Sequence, residues 1–169
     1  MIKGFKYLFI GILILIYSAC KNPAGPTDPF PENLSETPLE GMGFAISIPG
    51  NYKIDQHQGE DFTVFYFSPK DSGSMNSYSG GVYFGNFPSE FGFSLDSCQS
   101  QKIQDVLLGR RVDWKLYSCA DSYLFETVID NQPNHGWDEK IHAFGQCKNE
   151  GDIKKILFIF STLKQNTPL

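Results

Sequence analysis

Six separate runs between Phe44 and Gln146 place apolar side chains at every second position, and most of the spacers between them are too short for a parallel crossover. Such a chain is confined to antiparallel pairing. Phe44, Ile46 and Ile48 share one face of the first run, which stops at Pro49-Gly50-Asn51. Phe62 to Phe67 is apolar on both faces, the pattern of a central strand covered from two sides. Val82 to Phe84 stands between Gly80-Gly81 and Gly85-Asn86-Phe87-Pro88. Val112, Trp114 and Leu116 alternate with Arg111, Asp113 and Lys115, and Tyr123 to Ile129 and Lys140 to Gln146 complete about six strands.

The period then changes. Ile153, Ile156, Leu157, Phe160 and Leu163 recur at helical spacing, with Glu150 and Asp152 in the first turn and Lys164 at the end, predicting a C-terminal helix. One further helix is predicted over Cys98 to Leu108, where Ile103, Val106 and Leu107 would face a core and Gly109 would end it. The expected fold class is α+β, an antiparallel sheet of about six strands packed with these two helices. A single domain over 39–166, with a tail at 167–169, accounts for the patterned residues.

The N-terminus follows a different logic. Lys3 and Lys6 precede a continuous apolar segment from Tyr7 to Ile16, and Ser18-Ala19 supplies small residues ahead of Cys20. This resembles the lipobox of bacterial lipoproteins. The resemblance covers about the first 20 residues and implies a signal peptide over 1–19, a diacylglycerol thioether on Cys20 and acylation (palmitate or a similar chain) of the new amine. A retained transmembrane helix needs about 20 apolar residues, more than stand before Lys21-Asn22-Pro23. A removed, non-lipid signal is the competing reading, and Tyr17, where a lipobox usually has Leu, Val or Ile, favours it slightly.

After the lipidated cysteine, residues 20–38 carry Pro23, Pro26, Pro29, Pro31 and Pro38 and few apolar side chains, the composition of a tether. At about 3.1 Å per residue in polyproline form, it lifts a domain by at most roughly 55 Å. Removing the first 19 of 169 residues leaves 150, and losing Lys3 and Lys6 takes the net charge from −5 to −7. That balance argues against nucleic acid as a partner and against holding an anionic lipid surface by charge. The expected address is the bacterial cell envelope, with the membrane as a partner through the lipid anchor. Lys21 in place of Asp after Cys20 favours the outer over the inner membrane.

Three further cysteines, Cys98, Cys119 and Cys147, allow one disulfide and one free thiol, and any of three pairs is open. If the last three strands form a meander, Cys119 and Cys147 share one end of the sheet. A Cys98–Cys119 bridge would then pin a helix to a hairpin, with Cys147 the alternative partner. The spacings match no zinc pattern, and there is no C-x-x-C.

Element order carries a second resemblance. A Gly-Phe-x-Ile-x-Ile-Pro opening strand, an Asp61-Phe62 strand, a Gly-Gly-Val-Tyr-Phe-Gly strand, a Val-x-Trp strand and a C-terminal amphipathic helix are similar to the PsbP-like family. Over about residues 41 to 165 this implies an α/β/α sandwich, and it transfers no site residue.

Catalytic patterns are scarce. No nucleophile motif, phosphate loop, H-E-x-x-H or EF-hand run occurs, and Ser72 to Ser77 with Gly80-Gly81 reads as a flexible turn. His142 paired with Cys98, Cys119 or Cys147 is the one thiol-enzyme arrangement to weigh; the ordinary reading of His142 is a hydrogen-bonded or surface sheet histidine. Glu126 interrupts an apolar strand, as an edge or solvated position does. The connection Asp130 to Glu139, with Asn134, His135, Trp137 and Asp138, is the candidate binding loop. No metal or cofactor is expected. The expected function is non-catalytic binding or assembly, with an envelope protein as a possible class of partner. The alternatives are a small thiol-dependent envelope enzyme and a passive structural surface lipoprotein.

Overall fold

The alternating runs become strands in a computed structural model that describes residues 33–71, 78–93, 95, 97–132 and 134–166. The signal segment, Cys20, most of the tether, Ser72 to Ser77 and the tail at 167–169 lie outside the described residues.

A small antiparallel sheet joins β1 (Leu34–Leu39), β2 (Phe44–Pro49) and β10 (Lys164–Gln165) in the order β1-β2-β10. The large sheet holds β3 (Tyr52–Gln58), β4 (Phe62–Pro69), β5 (Ser79–Gly85), β6 (Gln99–Leu107), β7 (Arg110–Ser118), β8 (Tyr123–Asp130) and β9 (Lys140–Cys147). Its order is β3-β4-β5-β9-β8-β7-β6, and every neighbouring pair is antiparallel. It is thus two meanders, β3 to β5 and β6 to β9, joined where β9 pairs with β5. The helix α1 (Glu150–Ser161) follows β9.

The expected α+β fold with two helices, and the PsbP-like α/β/α sandwich with it, do not hold. Ten strands and one helix make the described residues mostly β. The segment predicted as the second helix is β6. Its partner β7 follows after two residues, Leu108 and Gly109, with φ of 51° and 71°, the left-handed pair of a type I′ hairpin turn. Gly109 therefore turns a hairpin instead of ending a helix. Residues 34 to 38, assigned to the tether by composition, are also strand: β1 pairs with β2 from Leu34↔Pro49 to Leu39↔Phe44. The C-terminal helix is present but ends at Ser161, and Lys164 pairs in β10 and reaches Glu36 at 2.6 Å.

The main core lies between one face of the large sheet, α1 and β2. Phe65, Phe67, Phe84, Trp114, Phe125 and Ile141 point into it from alternate positions of their strands. Phe160 of α1 sits at the centre, its ring centroid 5.2 Å from Trp114, 5.6 Å from Phe67 and 6.5 Å from Phe125. Gly145 is required beside it, since a Cβ there would come within 2.7 Å of the Phe125 ring. At the end of α1, the Thr162 hydroxyl donates to the Ile159 carbonyl and accepts the Ser47 amide at 2.8 Å, tying helix to β2.

Cys98 and Cys119 form a disulfide with Cα atoms 4.5 Å apart. The bridge continues the β6–β7 register one step past Gln99↔Ser118, so it staples the open end of a hairpin at the sheet edge. For a separation of 21 residues, chain entropy makes it worth about 3 kcal/mol. Cys147 is free and buried, and burial, helped by nearby Asp152, pushes its thiol up to about 11. In unreduced, folded protein, Cys147 should therefore resist alkylation at pH 8 until denaturant is added. Peptide mapping after timed alkylation measures this, and prompt labelling of Cys147 would contradict its place in the core.

Candidate functional site

To travel from β5, in the middle of the sheet, to β6 at its edge, the chain must cross β9, β8 and β7. It does so over the face that α1 leaves uncovered. Residues 86 to 91 form this strap, which leads into a single 3-10 turn, Phe91–Phe93. The Phe91 ring lies 6.2 Å from Phe144 and 6.4 Å from His142, both on the face of β9 opposite Ile141 and Ala143.

Beneath the strap is a buried polar network. Glu126 on β8 and His142 on β9 are diagonal neighbours, because Glu126 pairs with Phe144 and His142 with Val128. Their side chains are only 1 % and 4 % exposed, and Nε2 of His142 lies 3.0 Å from Oε2 of Glu126. The same carboxylate accepts the Phe91 amide at 2.9 Å and the Tyr117 hydroxyl at 3.1 Å. Burial alone would push the Glu126 carboxyl up, but the hydrogen bonds from His142, Phe91 and Tyr117 outweigh it and hold the group below the usual carboxylate range. Glu126 is accordingly ionised, and the His142 Nε2–H donates to it. The expectation that Glu126 occupies an edge or solvated face is wrong: β8 is an inner strand, and the strap closes over it. Glu90 on the strap pairs with Lys115 on β7, a second clasp.

Beside the network the strap and sheet enclose a cleft of about 510 Å³. Its sheet wall is Phe62, Val64 and Tyr66 of β4, Tyr83 of β5 and Phe144 of β9, with His142 also lining it. Phe87, Ser89 and Phe91 form the strap side, and Asp61 stands at the start of β4. Phe62 stacks on Tyr83 at 5.8 Å, and Tyr66 meets Phe144 edge-on at 5.8 Å. Gly81 makes this wall possible, because a Cβ there would lie 2.6 Å from the Phe144 ring. A smaller cavity of about 270 Å³ shares Tyr66, Phe91 and Phe144 and continues toward Ser68, Ser79 and Gln146. The main cleft, at about 510 Å³, falls within the usual range for small-molecule sites.

No protein-family model, curated protein or solved structure matches this chain. The site is therefore read from its own chemistry.

The loop singled out in the sequence lies next to the start of the strap. Asn86 donates to the Gly136 carbonyl at 3.1 Å and accepts the Glu139 amide at 2.9 Å. Asp138 is 1 % exposed and faces inward, accepting from the His135 amide and from Asn131 Nδ2 at 3.1 Å, with the His135 ring 3.0 Å away. Asn134 is likewise turned onto the loop, bonding the Asn131 carbonyl and the Gly136 amide. These hydrogen bonds fix the loop's shape, and the exposed His135 ring with Trp137, 36 % exposed and stacked on it, faces outward. Among the described residues no group of three or more His, Cys, Asp or Glu side chains gathers as metal ligands.

The thiol arrangements do not assemble. Cys98 and Cys119 are bonded to each other, while Cys147 and His142 project to opposite faces of β9. Sequence reading found Glu126 and His142 separately. The two apolar faces of Phe62 to Phe67 signalled that β4 is covered from both sides, but nothing in the sequence showed that one of those covers is a strap over a cleft.

Proposed function

We propose that this is a lipid-anchored envelope protein whose domain binds a small ligand, without chemistry, in the aromatic cleft beneath the strap. The observation that carries the binding role is that cleft: its walls are built before any ligand arrives, by stacked rings and by a strap clasped at Glu126 and at Lys115. Preformed walls lower the ordering cost of binding. The anchor rests on the N-terminal pattern ending at Cys20, and an envelope address agrees with a disulfide in the domain. The Trp137 loop, tied to the strap through Asn86, is the surface on which an envelope protein partner would sense the cleft's state.

Expressed as the full chain in a lipoprotein-processing bacterium, the protein should fractionate with membranes and carry acyl mass at Cys20. Cys20→Ala should abolish the acyl mass and the processing that depends on it. An unmodified Cys20 thiol on the mature chain would overturn the anchor. For the cleft, a small-molecule screen read by NMR should yield ligands that shift His142, Tyr83 and Phe144 signals. A screen in which no compound moves them would remove the binding function.

A second reading draws on the same buried pair, since an imidazole oriented by a carboxylate at the edge of a cleft suits proton transfer. Turnover of a bound ligand that His142→Gln abolishes, while binding persists, would favour that reading.

A further inference from the structure

We propose that the cleft's ligand is an organic ammonium ion, a protonated primary or secondary amine on a flat apolar body. This rests on the cleft being a binding site, as argued above.

The first observation is charge. The cleft presents the Asp61 carboxylate and no Lys or Arg among its lining residues. Behind His142 stands the ionised Glu126, so the pair contributes either zero or one negative charge, and the net charge facing a ligand is negative whichever form the imidazole takes. Nearby Lys115 does not offset this, because it is paired with Glu90. An anionic ligand would find no Lys or Arg to pair with and would face a net negative charge. The mature chain's net charge of −7, once Lys3 and Lys6 leave with the signal, adds a field of the same sign.

The second is the ring count. Six aromatic side chains line the cleft: Phe62, Tyr66, Tyr83, Phe87, Phe91 and Phe144. Their faces carry negative potential and attract a cation within about 6 Å. Phe87 is 78 % exposed and Tyr66 41 %, so two of the rings stand at the mouth, a solvent cost that a stacked ligand would relieve.

The third is hydrogen-bond complement. The His142 Nε2–H is already given to Glu126, so the neutral ring has only the Nδ1 lone pair left to offer. Asp61 is acceptor-only, and the hydroxyls of Ser89, Tyr66 and Tyr83 can accept as well as donate, so the only fixed charge-bearing partner the lining offers is an acceptor. A ligand suited to these acceptors brings several hydrogen-bond donors: a protonated primary amine has three N–H groups and a secondary one two, whereas an alcohol has a single O–H. A volume of about 510 Å³ has room for a one- or two-ring body beside the ammonium group.

The test uses the full lipidated chain in nanodiscs and equilibrium dialysis against three probes that share one ring: 2-phenylethylamine, 2-phenylethanol and phenylacetate. Empty nanodiscs correct for partition into lipid. The amine is expected to bind about tenfold more tightly than either analogue. Asp61→Asn, at an exposed position outside the core, should weaken the amine about fivefold and leave the alcohol unchanged. Equal or tighter binding of the alcohol or the carboxylate would overturn the ammonium assignment while leaving the cleft a binding site. Binding of none of the three above the empty-nanodisc level would overturn the cleft reading itself.

Discussion

Glu126→Ala should cost the domain about 3–5 kcal/mol of unfolding free energy, because it removes the shared acceptor of three buried donors and leaves His142, Tyr117 and the Phe91 amide without it. The loss should be local first. In hydrogen exchange the Phe91 amide should lose its protection, and the strap should swing from the sheet while α1 and the main core stay ordered. Glu126→Gln keeps a carbonyl acceptor but turns an amide donor toward other donors, so a smaller loss of about 1–3 kcal/mol is expected. The two variants also differ from the parent in acid. The folded Glu126 carboxyl lies below its unfolded value, so its contribution is fully present above the ordinary carboxylate range and disappears as pH falls through the lowered folded value. Denaturant titrations across that window should show a shallower acid limb in Glu126→Gln than in the parent protein. A parent and variant of equal stability at every pH would mean that the strap is not held by this carboxylate.

Phe160→Ala should be as severe for the opposite side of the sheet. The ring is fully buried and touches Trp114, Phe67 and Phe125, so its removal leaves a large cavity and a loss of about 3–5 kcal/mol. Trp114 provides the readout: its near-ultraviolet circular dichroism should collapse before far-ultraviolet signal is lost, because its packing is fixed by Phe160. Trp137, the other tryptophan, is exposed and stacks on His135 in the loop after β8, outside the buried cluster, and should report little change. A loss under about 1 kcal/mol would show that the core can close over the gap.

The contrast between elements read correctly and those misread has a physical basis. β2, β4, β5, β7, β8 and β9 are inner strands or carry one wet face, and their alternation survives in sequence. β3 was not legible because it is an edge: Lys53, Asp55, Gln56, His57 and Gln58 face water or the sheet margin and leave no apolar stripe. β6 is the other edge. Its Ile103, Val106 and Leu107 fit helical spacing, whereas in the strand Val106 lies on the face opposite Ile103 and Leu107, so only the pairing with β7 reveals the strand. The Leu108-Gly109 turn hid the hairpin, since Leu rarely adopts a positive φ. β1 was masked by the prolines around it.

The site was legible as parts and not as a site. Glu126 and His142 each stood out as polar interruptions of apolar strands, but their contact depends on the β8–β9 register, a relation between residues 16 apart. Phe91 and Glu90 carried no signal at all, because a strap acquires meaning only once the order of strands is known. Strand direction offered Cys98–Cys119 as one of the open pairings, even with Cys98 assigned to the wrong kind of element, but it also placed Cys147 at that end. The structure decides, because Cys98 and Cys119 face each other just past the ends of β6 and β7 while Cys147 is buried in the core.

The seam between the two meanders governs how fast this protein can reach its native state. Each meander is assembled from neighbours along the chain, so its hairpins can nucleate early and independently. Uniting them requires Ser79 to find Gln146 and Gly85 to find Lys140, a search across the whole intervening chain whose entropy cost comes before most of its reward. That meeting is the natural rate-limiting event, and until it happens β5 and β9 each present an open border able to recruit a second molecule. Any factor that keeps newly made chains apart would therefore matter most during that interval.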